Sequence, residues 1–119
     1  YEGDGIIICT PTGSTGYSLS SGGPIVHSDL DVMIITPISS HSLSARPIVL
    51  SSKSNIKVKF SENFSDAALT IDGQLRINLK KDDIVSISKS HFNAKLVVLP
   101  FYNYLSTLKE KLLWSGNSR

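Results

Sequence analysis

Lysine and arginine are missing from the first 45 residues, and all twelve basic side chains lie between Arg46 and Arg119. Against ten acidic residues they leave a net charge of +2, and no basic run exceeds Lys80-Lys81. That distribution has no footprint for a phosphodiester backbone, so nucleic acid is not an expected partner. Cysteine occurs once, as Cys9. A lone thiol in an apolar run has no internal disulfide partner, which fits a structural role in a reducing compartment and hence a cytoplasmic location. Long apolar runs are absent too. Gly5-Ile6-Ile7-Ile8-Cys9 and Leu96-Val97-Val98-Leu99 fall far short of the about 20 residues of a membrane span, and no basic segment precedes either, so no membrane contact is expected. The only methionine is the interior Met33 and the chain opens at Tyr1, so the natural N-terminus is expected upstream and the chain reads as a fragment.

What is present has the balance of one globular domain, with 119 residues, 40% of them hydrophobic and 18% charged. Six of the eight glycines (Gly3, Gly5, Gly13, Gly16, Gly22 and Gly23) crowd into the first 23 residues. Ile6 to Cys9, bounded by Gly5 and Thr10-Pro11, suits a buried strand. The small residues Thr12 to Gly23 allow one or two helical turns closed by Gly22-Gly23. Val32 to Thr36 reads as a second buried strand ending at Pro37, and Pro47 to Leu50 as a third. From residue 54 the period becomes two: Ile56, Val58 and Phe60 alternate with Lys57, Lys59 and Ser61. Ala67 to Asp72 and Leu75 to Leu79 flank Asp72-Gly73, a hairpin signal. Asp83 to Lys89 and Ala94 to Leu99 add two strands, joined by a turn at Ser90-His91-Phe92-Asn93. About eight short strands separated by turns predict a mainly β fold of the sandwich class. After Pro100, Leu105, Leu108 and Leu112 recur at helical spacing, with Asn103 placed to cap the start and Gly116 to stop the end. One apolar helix face is thus expected to pack on the sandwich or on another subunit.

A strand running into glycines and a helix suggests an anion site. The P-loop, however, requires a lysine directly after its glycines, and here none exists. The segment offers hydroxyls instead, from Thr10, Thr12, Ser14, Thr15, Tyr17, Ser18, Ser20 and Ser21, beside the carboxylates Glu2 and Asp4. Ribose hydroxyls, amides and base edges suit that chemistry, with a tyrosine face for stacking. Gly16-Tyr17-Ser18-Leu19-Ser20 approaches the G-x-S-x-G elbow, but Ser20 replaces its last glycine and the surrounding α/β pattern is missing, so Ser18 is not read as a nucleophile. With twenty serines, a Ser-His-Asp set could be composed by coincidence. His27, His41 and His91 lack metal-ligand spacing and read as surface or turn residues. Lys80-Lys81-Asp82-Asp83 reads as an exposed turn. Asp72-Gly73-Gln74 is a turn first, yet also a place where binding groups are presented.

Together these residues carry a family resemblance. Gly3-Asp4-Gly5, the apolar strand, Thr10-Pro11-Thr12-Gly13-Ser14-Thr15-Gly16-Tyr17-Ser18-Leu19-Ser20 and Gly22-Gly23-Pro24 resemble the long signature of the NAD kinases. The resemblance continues through Thr36-Pro37-Ile38, His41 to Val49, Asp72-Gly73-Gln74 and a tail from Tyr102 to Trp114 like that of bacterial members. It implies that residues 1–119 are the C-terminal β-sandwich domain of such an enzyme, with an N-terminal α/β domain lying outside this chain. It further implies transfer of the γ-phosphoryl group of ATP, with a divalent metal such as Mg, to the adenosine-ribose 2′-hydroxyl of NAD, giving NADP and ADP in a homo-oligomer, dimer or tetramer. By position, Thr12, Thr15, Gly16, Tyr17, Ser18, Leu19 and Ser20 would line the NAD site, Tyr17 against adenine. Asp4 would meet the nicotinamide-ribose side, and Gln74 with Asp72 would reach the dinucleotide, in a neighbouring subunit or their own. Gly16 stands where the family usually has Ala, and Glu2 where relatives are often basic. The Gly-Gly-Asp-Gly motif that bears the family's general base is not in the sequence, nor is its Asn-Glu pair. No catalytic or metal-binding residue is therefore expected here, and the isolated fragment is expected to be inactive. A stand-alone β-sandwich that binds a nucleotide or sugar, or mediates assembly, is the competing reading, and a related lipid kinase a third.

Overall fold

The computed structural model describes residues 3–42, 44–61 and 66–114. It divides into two compact units, Tyr1–Lys89 and Ser90–Arg119. Among the described residues there are seven strands and two α-helices: β1 (Gly5–Cys9), α1 (Tyr17–Ser20), β2 (Val32–Ile38), β3 (Ile48–Ser51), β4 (Ile56–Lys59), β5 (Ala67–Ile71), β6 (Leu75–Leu79), β7 (Ile84–Ile87) and α2 (Tyr104–Lys111). The mainly β class, the short helix after the glycines and the C-terminal helix are as the sequence indicates. The strands form three antiparallel sheets, ordered β1-β2-β3, β4-β7 and β5-β6. No described helix is long and apolar enough to cross a membrane.

The core of the first unit is built on β2. Met33, Ile34 and Ile35 are buried, as are Thr36 and, before the strand, Val26. Side chains alternate along a strand, so Ile34 and Thr36 share one face while Met33 and Ile35 share the other. Both faces are therefore covered, which accounts for a continuous apolar run where a one-sided strand would alternate. Across the β1–β2 ladder, Ile7 stands opposite Thr36 and Cys9 opposite Ile34. Cys9 is half-buried and free.

Contrary to the expected stop at Pro37, β2 continues through it to Ile38, with Pro37 opposite Ile6. The pairing with β3 explains this, because it covers only Val32 to Ile35. Beyond Ile35 the strand's one partner among the described residues is β1. Proline lacks an N–H and so can occupy only a position whose nitrogen faces away from β1, on the side that β3 has already left.

The β5–β6 hairpin closes as its Asp-Gly signal predicts. Asp72 and Gly73 both take positive φ, +51° and +69°, the requirement of the tight turn that matches strand twist, and Gln74 N–H donates to the Ile71 carbonyl at 3.0 Å. Between β6 and β7, Asp83 accepts from Lys80 N–H at 2.7 Å, so Asp83 serves the expected turn.

In the second unit, Asn103 caps α2 by accepting from Ser106 N–H at 3.0 Å, and Lys109 and Lys111 occupy the last turn, where cations suit the helix dipole. The apolar stripe is only partly covered: Leu108 is buried, Leu112 half-buried and Leu105 exposed. The helix also ends earlier than the glycine signal suggests. Trp114 N–H donates to Lys109 O and Leu113 N–H to Glu110 O, while Leu113 takes φ +53°, which is the Schellman arrangement with leucine where glycine is usual. Gly116 lies outside the described residues. The strand expected over Ala94 to Leu99 is not formed. A strand needs a ladder partner, none meets this stretch among the described residues, and Leu96, Val97, Val98 and Leu99 are 56–95% exposed.

The tightest backbone approach is at Gly23, where an added Cβ would lie 2.3 Å from Ser18 Oγ, 2.7 Å from Thr36 Oγ1 and 2.8 Å from the Ser18 carbonyl oxygen. At Gly22 the same atom would meet open space, and only the φ of +84° disfavours it. We expect Gly23→Ala to lower stability by about 1–3 kcal/mol through overpacking, and Gly22→Ala by about 1 kcal/mol through backbone strain alone. Urea midpoints of the two variants check the order, and an equal or reversed ranking would refute it.

Candidate functional site

The glycine-rich segment leaves the end of β1 as a 3₁₀ turn over Thr12–Thr15, kinks at Gly16 and enters the four-residue α1. Neither piece has a side-chain cap, and a helix this short is not self-supporting. Two inward hydroxyls hold it. Ser14, fully buried, donates to the Pro11 carbonyl at 2.6 Å and accepts from Val26 N–H at 3.1 Å, tying the turn to the chain twelve residues on. Ser18, also buried, shares a hydrogen bond of 2.8 Å with the Thr36 hydroxyl on β2. Its carbonyl accepts from Gly23 N–H at 2.8 Å and from Ser21 N–H at 3.2 Å.

Ser14 in the 3₁₀ turn and Ser18 in α1 are turned inward by their own separate contacts, while most of the other polar groups of the segment face out. Thr12, Thr15, Gly16 and Ser20 are exposed, Leu19 is half-buried, and Tyr17 is 65% exposed. A Cβ on Gly16 would stand 3.3 Å from the Gly13 carbonyl oxygen, a tight fit for the alanine of the family pattern. No cation lies within the segment, as the sequence requires. Such a surface can stack a ring and hydrogen-bond neutral hydroxyls and amides, and it has no charge with which to grip phosphate.

The other candidate residues stand apart from this loop. Asp4 is at the opposite end of β1, where its N–H donates to the Ile38 carbonyl at 3.0 Å. Gly3 beside it packs so closely on Ile38 and Ser40 that a Cβ would lie 2.8 Å from the Ile38 oxygen, which fixes the start of the Asp-Gly pair on the end of β2. Asp72 and Gln74 are exposed in the β5–β6 turn, in a separate sheet. Glu2 lies outside the described residues. Ser18 cannot be the nucleophile of an elbow, since its hydroxyl is buried against Thr36. His27, His41 and His91 are exposed, and among the described residues no three His, Cys, Asp or Glu side chains gather as a metal site. What the sequence reading missed is Thr36 as the partner of Ser18, and the inward role of Ser14 and Ser18; because Gly16 breaks the segment into two pieces, the spacing of the serines carried no signal of it.

One charged contact ties the start of β2 to the residues that follow β7. Lys89 Nζ donates to Asp31 Oδ1 at 2.5 Å. The ammonium of Lys89 holds the Asp31 carboxyl below its ordinary value of 3.8.

A family model described as the ATP-NAD kinase C-terminal domain matches residues 1–99. The chain belongs to this family. It is 46% identical over 112 residues to the NAD kinase of Photorhabdus laumondii, covering 94% of this chain and 38% of that protein. To the NAD kinase of Geobacter sulfurreducens it is 47% identical over 114 residues, covering 96% and 40%. Among solved structures it is similar to an NAD kinase from Archaeoglobus fulgidus in complex with ATP, with a TM-score of 0.67, 36% identity and coverage of 76% of this chain and 34% of that one. It is also similar to yeast NADH kinase complexed with NADH, with a TM-score of 0.69, 28% identity and coverage of 98% and 34%. The chain thus spans about two-fifths of the length of the curated relatives it matches.

Two measurements test the framework of the loop. Ser14→Ala removes the acceptor of Val26 N–H, and we expect a loss of about 1–3 kcal/mol in denaturant unfolding; no loss would show the buried hydroxyl to be dispensable. Lys89→Ala should move the Asp31 titration upward toward 3.8 when followed by carboxyl NMR. Because the folded-state value is depressed, the Asp31 contact stabilises the fold at neutral pH and is lost as pH falls through that lowered value. An unmoved titration would show that Lys89 is not the cause.

Proposed function

We propose that this chain is the dinucleotide-binding portion of an NAD kinase, which transfers the γ-phosphoryl group of ATP to the adenosine-ribose 2′-hydroxyl of NAD, yielding NADP and ADP. The observation that carries the reading is the sorting of the loop: Ser14 and Ser18 are spent on the fold, while Thr12, Thr15, Tyr17 and Ser20 face out on the segment matched by the family model. Tyr17 supplies a stacking face for adenine, and Thr15 and Ser20 supply donors and acceptors beside it. Asp4, held on the end of β2, accepts from the hydroxyls of the nicotinamide ribose. Asp72 and Gln74, at the tip of a hairpin, reach a dinucleotide in their own or a neighbouring subunit, consistent with a homo-oligomer. Of the two solved structures named above, one is complexed with ATP and the other with NADH, a phosphoryl donor and a dinucleotide, which supports a reaction between those two classes of molecule.

This portion binds and orients. Phosphoryl transfer depends on positioning the hydroxyl and stabilising charge on the phosphates, and this chain carries neither the Gly-Gly-Asp-Gly base nor a cation in the glycine-rich segment. Among the described residues no three His, Cys, Asp or Glu side chains gather as a metal site. We place the enzyme in the cytoplasm, in keeping with its single unpaired cysteine.

In the full-length enzyme, Tyr17→Ala should weaken NAD binding by about 1–3 kcal/mol, the worth of one aromatic face on a base, as read by calorimetry. Unchanged affinity would remove Tyr17 from the site.

A further inference from the structure

Two-thirds of the Tyr17 surface faces solvent, so little packing restrains its ring. Its direction is therefore set by the backbone of α1, and that backbone is fixed next door, at Ser18. Three contacts converge there: the hydroxyl bond to Thr36 at 2.8 Å and the two N–H groups of Gly23 and Ser21 on the Ser18 carbonyl. Thr36 is fully buried in the middle of the β1–β2 ladder, opposite Ile7, so it is among the least movable points of the unit. Gly23 closes over the pair at a distance that admits no side chain. A rigid path thus runs from the central strand through two hydroxyls to the residue beside the exposed tyrosine.

We propose that Ser18 and Thr36 are positioning residues for the dinucleotide: their mutual hydrogen bond sets the angle at which α1 presents Tyr17, Thr15 and Ser20, and the Ser18 hydroxyl does not itself touch the substrate. The proposal rests on the NAD-binding reading and assigns Ser18 a different part in it, acting through its neighbours. A four-residue helix released from this bond would retain its residues and lose their common orientation, so the effect belongs on the substrate that stacks on Tyr17 and not on the phosphoryl donor.

The test compares full-length enzyme carrying Ser18→Ala, Thr36→Val or Thr36→Ser with the wild type, measuring KM for NAD, KM for ATP and the melting temperature. Ser18→Ala and Thr36→Val should each raise KM for NAD about fivefold, the scale of one buried hydroxyl pairing, with KM for ATP unchanged. Thr36→Ser keeps the hydroxyl and should stay within about twofold of wild type. The double variant Ser18→Ala with Thr36→Val should be no worse than either alone, since both remove the same bond. If Thr36→Val does not fold, Ser18→Ala and Thr36→Ser decide the matter. Lowered melting temperatures with KM for NAD unchanged would overturn the proposal, as would an equal rise in both KM values. Wild-type enzyme that does not bind NAD would overturn the dinucleotide reading itself.

Discussion

Four residues of helix do not persist in water on their own, because fixing the first turn costs more conformational entropy than its one hydrogen bond returns. Yet α1 and the 3₁₀ turn before it carry most of the exposed polar groups of the candidate site. Their persistence depends on the hydroxyl bond between Ser18 and Thr36 and on the closure of Ser14 against Pro11 and Val26. Buried hydroxyls are costly unless satisfied, so each of these bonds is both the attachment of the loop and the condition on which the serine can be inside at all.

The architecture around this attachment follows from one strand. β2 is covered on both faces and is the element to which β1, β3 and α1 are all joined. A loop hung on such a strand has a buried support, whereas the β5–β6 turn, carrying Asp72 and Gln74, is a two-stranded ribbon exposed along much of its length. The two groups of candidate residues thus rest on supports of different burial. The more deeply buried one presents the exposed Tyr17 ring, and the less covered one presents an acid and an amide at a hairpin tip.

Local chemistry was legible in the sequence wherever it is decided by a few adjacent residues. Asp72-Gly73 names its own turn because both residues tolerate positive φ, and Asn103 names a helix start because its side chain can replace a missing backbone acceptor. The outward-facing hydroxyls, as a chemistry, were legible as well. Properties decided across the chain were not. Pro37 is compatible with a strand only because β3 stops at Ile48 opposite Ile35, a fact of register with no local trace. Ala94 to Leu99 has the composition of a strand, but composition supplies no ladder partner. Leu113 ends α2 in a left-handed conformation that leucine disfavours, which a search for glycine passes over. The two serines looked identical to their neighbours until their burial distinguished them.

The placement of Pro37 bears on what the protein avoids. Among the described residues, the flank of β2 beyond its pairing with β3 has no ladder partner, and unpaired N–H and C=O groups along a sheet edge invite a strand from another molecule. A proline whose nitrogen faces that side removes a donor from the invitation, at a point where the adjoining residues are too buried to carry the charges that usually blunt an edge. The same Thr-Pro pair thus supplies an anchoring hydroxyl on one face and, among the described residues, one fewer N–H donor along the flank that β3 leaves.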